Sequence, residues 1–276
     1  MAMKSKDLYP GIFSRYAAEY EKRLEQVMTR GEAKGRARVI ELVEAKPGMR
    51  ILDLACGPGN LSRRLAPMVS PDGEVVGVDL APGMIERARA ADTPNTRFEV
   101  MDIEALEFAD ASFDGAVCGH GLQFAPNLDR ALSEARRVLR HGAKFVASVP
   151  GGDSDQSVMR LLESVIDRWL PAAPEADDHG ATRAIVGSPD TFAAAATAAG
   201  FSAATVEVLE ETTQWESVDE LVGLFSSWWV CAYRLEGVEP ERREAFLDDA
   251  VTTLRKDHPG PLVTVGRNYV LAAIAP

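Results

Sequence analysis

The sequence predicts an α/β fold, a mostly parallel sheet with helices on both faces, and three observations predict it. ILDLACGPGNLS, from Ile51 to Ser62, reads as a strand, a small-residue turn and a helix, because Leu61, Leu65 and Met68 then recur at helical spacing. Four further strand-like runs follow before residue 150, each next to a helical pattern, which gives five βα units in sequence. Polar residues fall at or just after four of those strand ends: Asp53, Asp79, Asp102 and His120. In such sheets ligands bind at the carboxyl ends of the strands, near the point where strand order reverses.

The bulk numbers bound the answer. With 276 residues, 46% of them hydrophobic, the chain can bury a full core. A net charge of −12 argues against a nucleic-acid partner, which needs a clustered basic surface. The three cysteines, Cys56, Cys118 and Cys231, lie far apart and lack metal-ligand spacing, so neither a disulfide framework nor a metal is expected. MAMKSKDLYPGIF has no signal-peptide core and no run has the length of a membrane span, so a soluble, cytoplasmic protein is expected.

Residues 1–45 read as an N-terminal helical flap. A first helix runs around Phe13, Tyr16, Tyr20 and Leu24 and a second around Val39, Ile40 and Val43, before Pro47-Gly48 ends the pattern. Tyr16 and Tyr20, four apart, share a face that either packs on the main domain or brings a tyrosine, for which Tyr16 is the candidate, over a bound ligand.

In the turn, Gly57 and Gly59 admit backbone angles closed to other residues and let a ligand lie against the main chain. The following helix offers free amides and a partial positive charge. Asp53 beside it repels a phosphate and attracts an ammonium or a sulfonium. Reading G-x-G-x-x-G from Gly57, the third glycine is replaced by Ser62, which disfavours a dinucleotide. The next strand, EVVGVDL, ends near Asp79, 22 residues after Gly57, close to the roughly 20 expected for an acid that grips two ribose hydroxyls.

Pro82 opens a helix whose apolar stripe includes Met84, placed either against an adenine ring or in the core. After the third strand, TRFEVMDI, Asp102 either caps a helix or accepts from an exocyclic amine while Ile103 packs on the ring, and its place in the series of strand ends favours the second. FDGAVCG forms a fourth strand, LDRALSEARRVLRHG a helix closed by Gly142, and AKFVASVP a fifth strand.

ILDLACGPGNLS, VVGVDLAPGMI, MDIEAL and SFDGAVCGHGLQFAPNLDRALSEARRVLRHG resemble the successive motifs of class I S-adenosylmethionine-dependent methyltransferases. Within that family they resemble the set of small-molecule enzymes similar to the ubiquinone and menaquinone biosynthesis methyltransferases. The resemblance implies a Rossmann-like sheet of seven strands whose last strand is antiparallel and lies between strands five and six. It also implies that Asp53, Gly57 and Gly59 hold the methionine part of S-adenosyl-L-methionine, Asp79 the ribose, and Asp102 with Ile103 the adenine. Tyr16, Ala55, Leu80, Met84 and Gly119 complete the cofactor-binding set, and S-adenosyl-L-homocysteine is the product. The chain has His141-Gly142-Ala143 where the family often has Pro-Gly-Gly, and Asn127 where Asp is common.

Residues 46–150 thus form the cofactor-binding core, 151–187 an inserted lid, and 188–276 the end of the sheet with a helical insertion at about 217–257. Trp169, Phe225, Trp228, Trp229 and Tyr233 either pack in the core, the favoured role for any one of them, or give these cap helices an aromatic pocket for a small hydrophobic or aromatic acceptor, with quinone-like compounds or secondary metabolites as examples. A phenol or alcohol acceptor benefits from a general base, whereas an activated carbon or an amine does not require one; His120 either supplies that base or only hydrogen-bonds the loop and shapes the pocket, and His179 is the second candidate. Two other readings stand beside this one: a protein that binds S-adenosylmethionine without transferring methyl groups, and an NAD-dependent oxidoreductase. The apolar cap helices permit a homodimer.

Overall fold

The structure, a computed structural model, describes residues 4–151, 157–173, 176, 178–226 and 229–276. The chain forms two units, one of residues 1–152, 176–209 and 267–276, the other of 153–175 and 210–266.

The first unit opens with three helices, α1 (Ser5–Arg15), α2 (Ala17–Thr29) and α3 (Lys34–Val43). The alternating region follows as β1 (Arg50–Leu54), α4 (Asn60–Val69), β2 (Glu74–Asp79), α5 (Pro82–Ala90), β3 (Thr96–Val100) and β4 (Phe113–Gly119). A short 3-10 helix (Leu122–Phe124), α6 (Leu128–Val138), β5 (Leu139–Pro150), α8 (Gly180–Val186) and α9 (Pro189–Ala198) come next, with α7 (Ser157–Trp169) between β5 and α8 belonging to the second unit. β6 (Ser202–Trp215) and β7 (Leu262–Ile274) complete one sheet of order β3-β2-β1-β4-β5-β7-β6. β1 to β5 are parallel and β7 runs antiparallel to β5, with Ser148 opposite Val270. This is the seven-stranded sheet that the sequence predicts. The strand order reverses between β1 and β4.

Two apolar layers sandwich the sheet, and the pleat sorts side chains between them. Leu52, Ala116, Phe145 and Ala147 join the layer that includes Leu132, Val138 and Phe192. Ile51, Val117 and Val146 join Val39, Val43, Leu65 and Val69 on the other face. Buried on both sides, these strands read as continuous apolar runs.

Two boundaries differ from the sequence reading. The first helix starts at Ser5 rather than near Gly11 and breaks at Tyr16. α6 ends at Val138 rather than at Gly142, because Leu139 is buried and already pairs with Phe113 of β4.

The second unit comprises α7, α10 (Val218–Ser226), α11 (Trp229–Arg234), α12 (Pro240–Asp257) and the outer ends of β6 and β7. Leu162, Val165, Leu221, Phe246, Ala250 and Leu254 form its own core. Arg234, nearly buried, donates to the carbonyls of Ile166, Leu170 and Pro171 and pairs with Asp167 at 2.8 Å, which satisfies the carboxyl end of α7. No described helix is long and apolar enough to cross a membrane.

Candidate functional site

A pocket opens in the first unit where β1 to β4 end. Nine predicted residues line it: Ala55, Gly57, Asp79, Leu80, Met84, Asp102, Ile103, Gly119 and His120. A recess of about 270 Å³ shares Tyr20, Ala55, Gly57 and Gly119 with the pocket and is also lined by Asp53, Arg36 and Asn60. Gly59 and Tyr16 line neither space. Gly59, at φ +82°, is the N-cap of α4 and lies so close to Phe98 that a Cβ would stand 3.0 Å from the ring. Tyr16 marks the break between α1 and α2, and Tyr20, one turn further on, reaches the pocket instead.

The turn after β1 is built by backbone geometry. Ala55 and Gly57 take positive φ of 52° and 56°, the Cys56 N–H donates to the Val78 carbonyl at 2.9 Å, and the Gly57 N–H donates to Asp79 Oδ2 at 2.9 Å. Asp79 Oδ1 accepts from the Ala81 N–H at 2.8 Å. Both Asp79 oxygens are thereby aimed, and each keeps a lone pair for a further donor. Burial raises the Asp79 pKa, opposed by these amides.

Asp53 is 1% exposed, and its Oδ2 accepts from Ser62 Oγ at 2.6 Å. Burial is the largest influence on its pKa, which is pushed up to about 7; the Ser62 hydroxyl and amide and the Arg36 guanidinium oppose the rise. Arg36 is 8% exposed and its Nη2 donates to the Tyr20 hydroxyl at 3.4 Å. Asn60, fully buried, donates from Nδ2 to Glu25 at 2.8 Å. Two buried polar atoms among the recess residues have no hydrogen-bond partner among the described residues, Arg36 Nε, a donor, and Asn60 Oδ1, an acceptor. Unsatisfied buried groups cost about 1–3 kcal/mol each, so their presence beside an acidic side chain calls for an explanation.

At the other end, Asp102 Oδ1 accepts from the Glu104 N–H at 2.9 Å, and Oδ2 pairs with Lys6 Nζ at 2.6 Å. Lys6 also meets Glu104 at 2.5 Å, so one ammonium of α1 joins two acids of the pocket wall. Burial lowers the Lys6 pKa, but its hydrogen bonds to Asp102 and Glu104 outweigh that and raise it. Met84 and Ile103 supply the apolar surface beside Asp102.

The aromatic wall comes from α1, α2 and the 3-10 helix. Tyr9 and Phe13 each meet Phe124 edge to face at 5.3 Å between centroids, and Phe13 meets Tyr20 at 6.0 Å. Trp169 and Phe225, predicted for an aromatic pocket, instead pack on the second unit's own core, where Trp169 Nε1 donates to Asp249 at 2.7 Å. Trp228 and the Trp229 side chain lie outside the described residues.

His120 follows β4 at φ +63°, and its Nε2 stands 2.6 Å from Asn268 Oδ1. Burial and the nearby Arg36 hold its pKa well below the usual 6.5. His179 is buried, with Nε2 3.2 Å from the Tyr9 hydroxyl. Sequence reasoning missed Arg36, Asn60, Lys6 and Asn268. Two carried a signal: Arg36 shares a helical face with Val39 and Val43, and Asn268 precedes the apolar run of β7. A polar group among core positions needs a partner.

Fold and site define a doubly wound α/β domain with a two-lobed pocket at its strand-order reversal, acidic at both ends. A model of the methyltransferase domain matches residues 51–142. The demethylmenaquinone methyltransferase of Symbiobacterium thermophilum is 36% identical over 141 residues, 49% of this chain and 56% of that protein. The 2-phytyl-1,4-naphtoquinone methyltransferase of Synechococcus elongatus is 30% identical over 186 residues, 66% of this chain and 80% of that protein. The chain spans 39% to 56% of the length of the first curated relatives it matches. The YcgJ protein of Bacillus subtilis shares the fold, with a TM-score of 0.56 at 19% identity over 87% of this chain and 97% of that one. The chain belongs to the class I S-adenosylmethionine-dependent methyltransferase family.

Proposed function

We propose that the protein transfers a methyl group from S-adenosyl-L-methionine to a small hydrophobic or aromatic acceptor, of the quinone-like kind that the relatives' names suggest. The observation that carries this reading is the recess. An orphaned donor, Arg36 Nε, and an orphaned acceptor, Asn60 Oδ1, flank a buried carboxylate, which suits the carboxylate and ammonium of an amino acid. In this reading Asp53 and Asn60 take the ammonium and Arg36 the carboxylate, against the backbone of Ala55, Gly57 and Gly119. Asp79, beside Leu80, takes the ribose hydroxyls. Asp102 accepts from the adenine amine, with Ile103 and Met84 against the ring.

When bound, S-adenosyl-L-methionine supplies an electrophilic methyl group on a sulfonium. The residues of this chain have three tasks. Asp53 and Arg36 at one end and Asp102 at the other fix the cofactor, with Asp79 between them, which sets the direction of attack. Tyr9, Phe13 and Phe124 present aromatic edges to an apolar acceptor and displace water from the pocket. His120, deprotonated at neutral pH, takes a proton from the acceptor.

Calorimetric titration with S-adenosyl-L-methionine, S-adenosyl-L-homocysteine and NAD in parallel tests this reading. The expected result is binding of the two adenosyl compounds and not of NAD, followed by methyl transfer to a phenol or hydroquinone in an acceptor screen. Binding of NAD alone, or of none of the three, sinks it; adenosyl binding with no transfer across the screen leaves a binding protein rather than an enzyme.

A further inference from the structure

His120 is held from several sides. Its N–H donates to the Ser148 carbonyl of β5 at 2.8 Å, and its carbonyl accepts from Gln123 Nε2 of the 3-10 helix at 2.8 Å. Its ring meets Asn268 of β7, which is 2% exposed. Asn268 is fixed in turn by α3: a Cβ on Gly35 would lie 2.9 Å from Asn268 Cβ and Cγ, so the helix comes this close only because residue 35 has no side chain. A left-handed backbone on a histidine is itself costly and persists because its surroundings enforce it.

This arrangement favours one tautomer of the ring. An amide oxygen only accepts, so the hydrogen in the 2.6 Å contact belongs to Nε2. In a neutral imidazole the lone pair is then on Nδ1, which makes no hydrogen bond among the described residues. Asn also differs from Asp in what it supports: a carboxylate at 268 would favour the imidazolium, whereas a neutral amide orients the ring and leaves it uncharged. Arg36, the charged group that bears most on the ring, works in the same direction.

We propose that Asn268 is the positioning residue of the site, locking His120 in its Nε2–H tautomer so that Nδ1 serves as the base for an acceptor bearing an ionisable hydroxyl. This inference rests on the methyltransferase reading above. The acceptor O–H bond breaks and its proton goes to Nδ1, giving an imidazolium whose Nε2–H stays on Asn268. The resulting anion donates the electron pair that forms the new bond to the methyl carbon, and the carbon–sulfur bond breaks with its pair left on sulfur. The proton on Nδ1 then passes to solvent.

The test is heteronuclear NMR of the histidine ring nitrogens in the full-length protein at neutral pH, with the His120 signals assigned by their loss in His120→Gln. The expected wild-type result is a protonated Nε2 and an unprotonated Nδ1. Asn268→Ala should turn this into a mixture of tautomers and lower kcat about 10- to 100-fold, less than the loss of the whole base, while the Kd for S-adenosyl-L-homocysteine stays within about twofold. Asn268→Asp, which retains an acceptor but favours the imidazolium, should keep Nε2 protonated and raise the pH at which Nδ1 loses its proton. An Nδ1–H ring in the wild type, or an unchanged tautomer in Asn268→Ala, overturns the role of Asn268. Failure of the protein to bind S-adenosyl-L-homocysteine overturns the methyltransferase reading and takes this role with it.

Discussion

Asp53→Asn exposes the cost of keeping an acid in the recess. The free carboxyl titrates near 3.8 and the buried one at about 7. A rise of that size corresponds to about 4 kcal/mol. The sign follows from linkage: a carboxyl with a raised folded pKa leaves stability intact below pH 3.8, where both states are protonated, and removes it progressively as pH rises to about 7. Asparagine keeps an acceptor for Ser62 Oγ and never ionises. In the absence of ligand, Asp53→Asn should match the wild type near pH 4 and exceed it by up to about 4 kcal/mol at pH 8, measured by urea denaturation at a series of pH values. S-adenosyl-L-homocysteine should reverse the order at pH 8, because its ammonium restores a partner to the wild-type carboxylate. A stability difference that stays flat between pH 4 and 8 would refute the argument.

Three further outcomes follow from the geometry. Arg36→Met should weaken S-adenosyl-L-homocysteine by about 10- to 100-fold, the worth of a charge-assisted hydrogen bond, yet leave methylthioadenosine, which lacks the amino-acid end, within about twofold; equal losses for both ligands in calorimetry would remove Arg36 from the carboxylate. Gly77→Ala places a Cβ 2.6 Å from Phe98 Cδ1 and 2.9 Å from Cys56 Sγ, and should cost about 2 kcal/mol in urea unfolding, part of which Phe98→Leu recovers. Lys6→Met removes two ion pairs that tie α1 to the pocket wall; with Lys6 about a third exposed the pairs are worth about 1 kcal/mol, so amide exchange in α1 should quicken about fivefold while the sheet amides stay unchanged.

The sequence by itself determined the sheet and the acids along its edge. Asp53, Gly57, Asp79, Asp102 and His120 were legible because each sits at or just after the end of a strand, and five βα units leave one way to bring those ends together. Local spacing carried that information: 22 residues separate the glycine turn from Asp79, and the backbone of one meets the carboxylate of the other at 2.9 Å. Only the tertiary structure decided what completes the site. Arg36 and Arg38 look alike in KGRARVIELV, and the packing of α3 against the sheet buries the first while the second pairs with Glu41 and Glu207 at the surface. Asn268 and His120 stand 148 residues apart, and Lys6 and Asp102 96 apart, so no local pattern links them. The aromatic wall moved from the predicted cap helices to Tyr9, Phe13 and Phe124 for the same reason: amphipathic periodicity says that a helix face is buried, but not against which element.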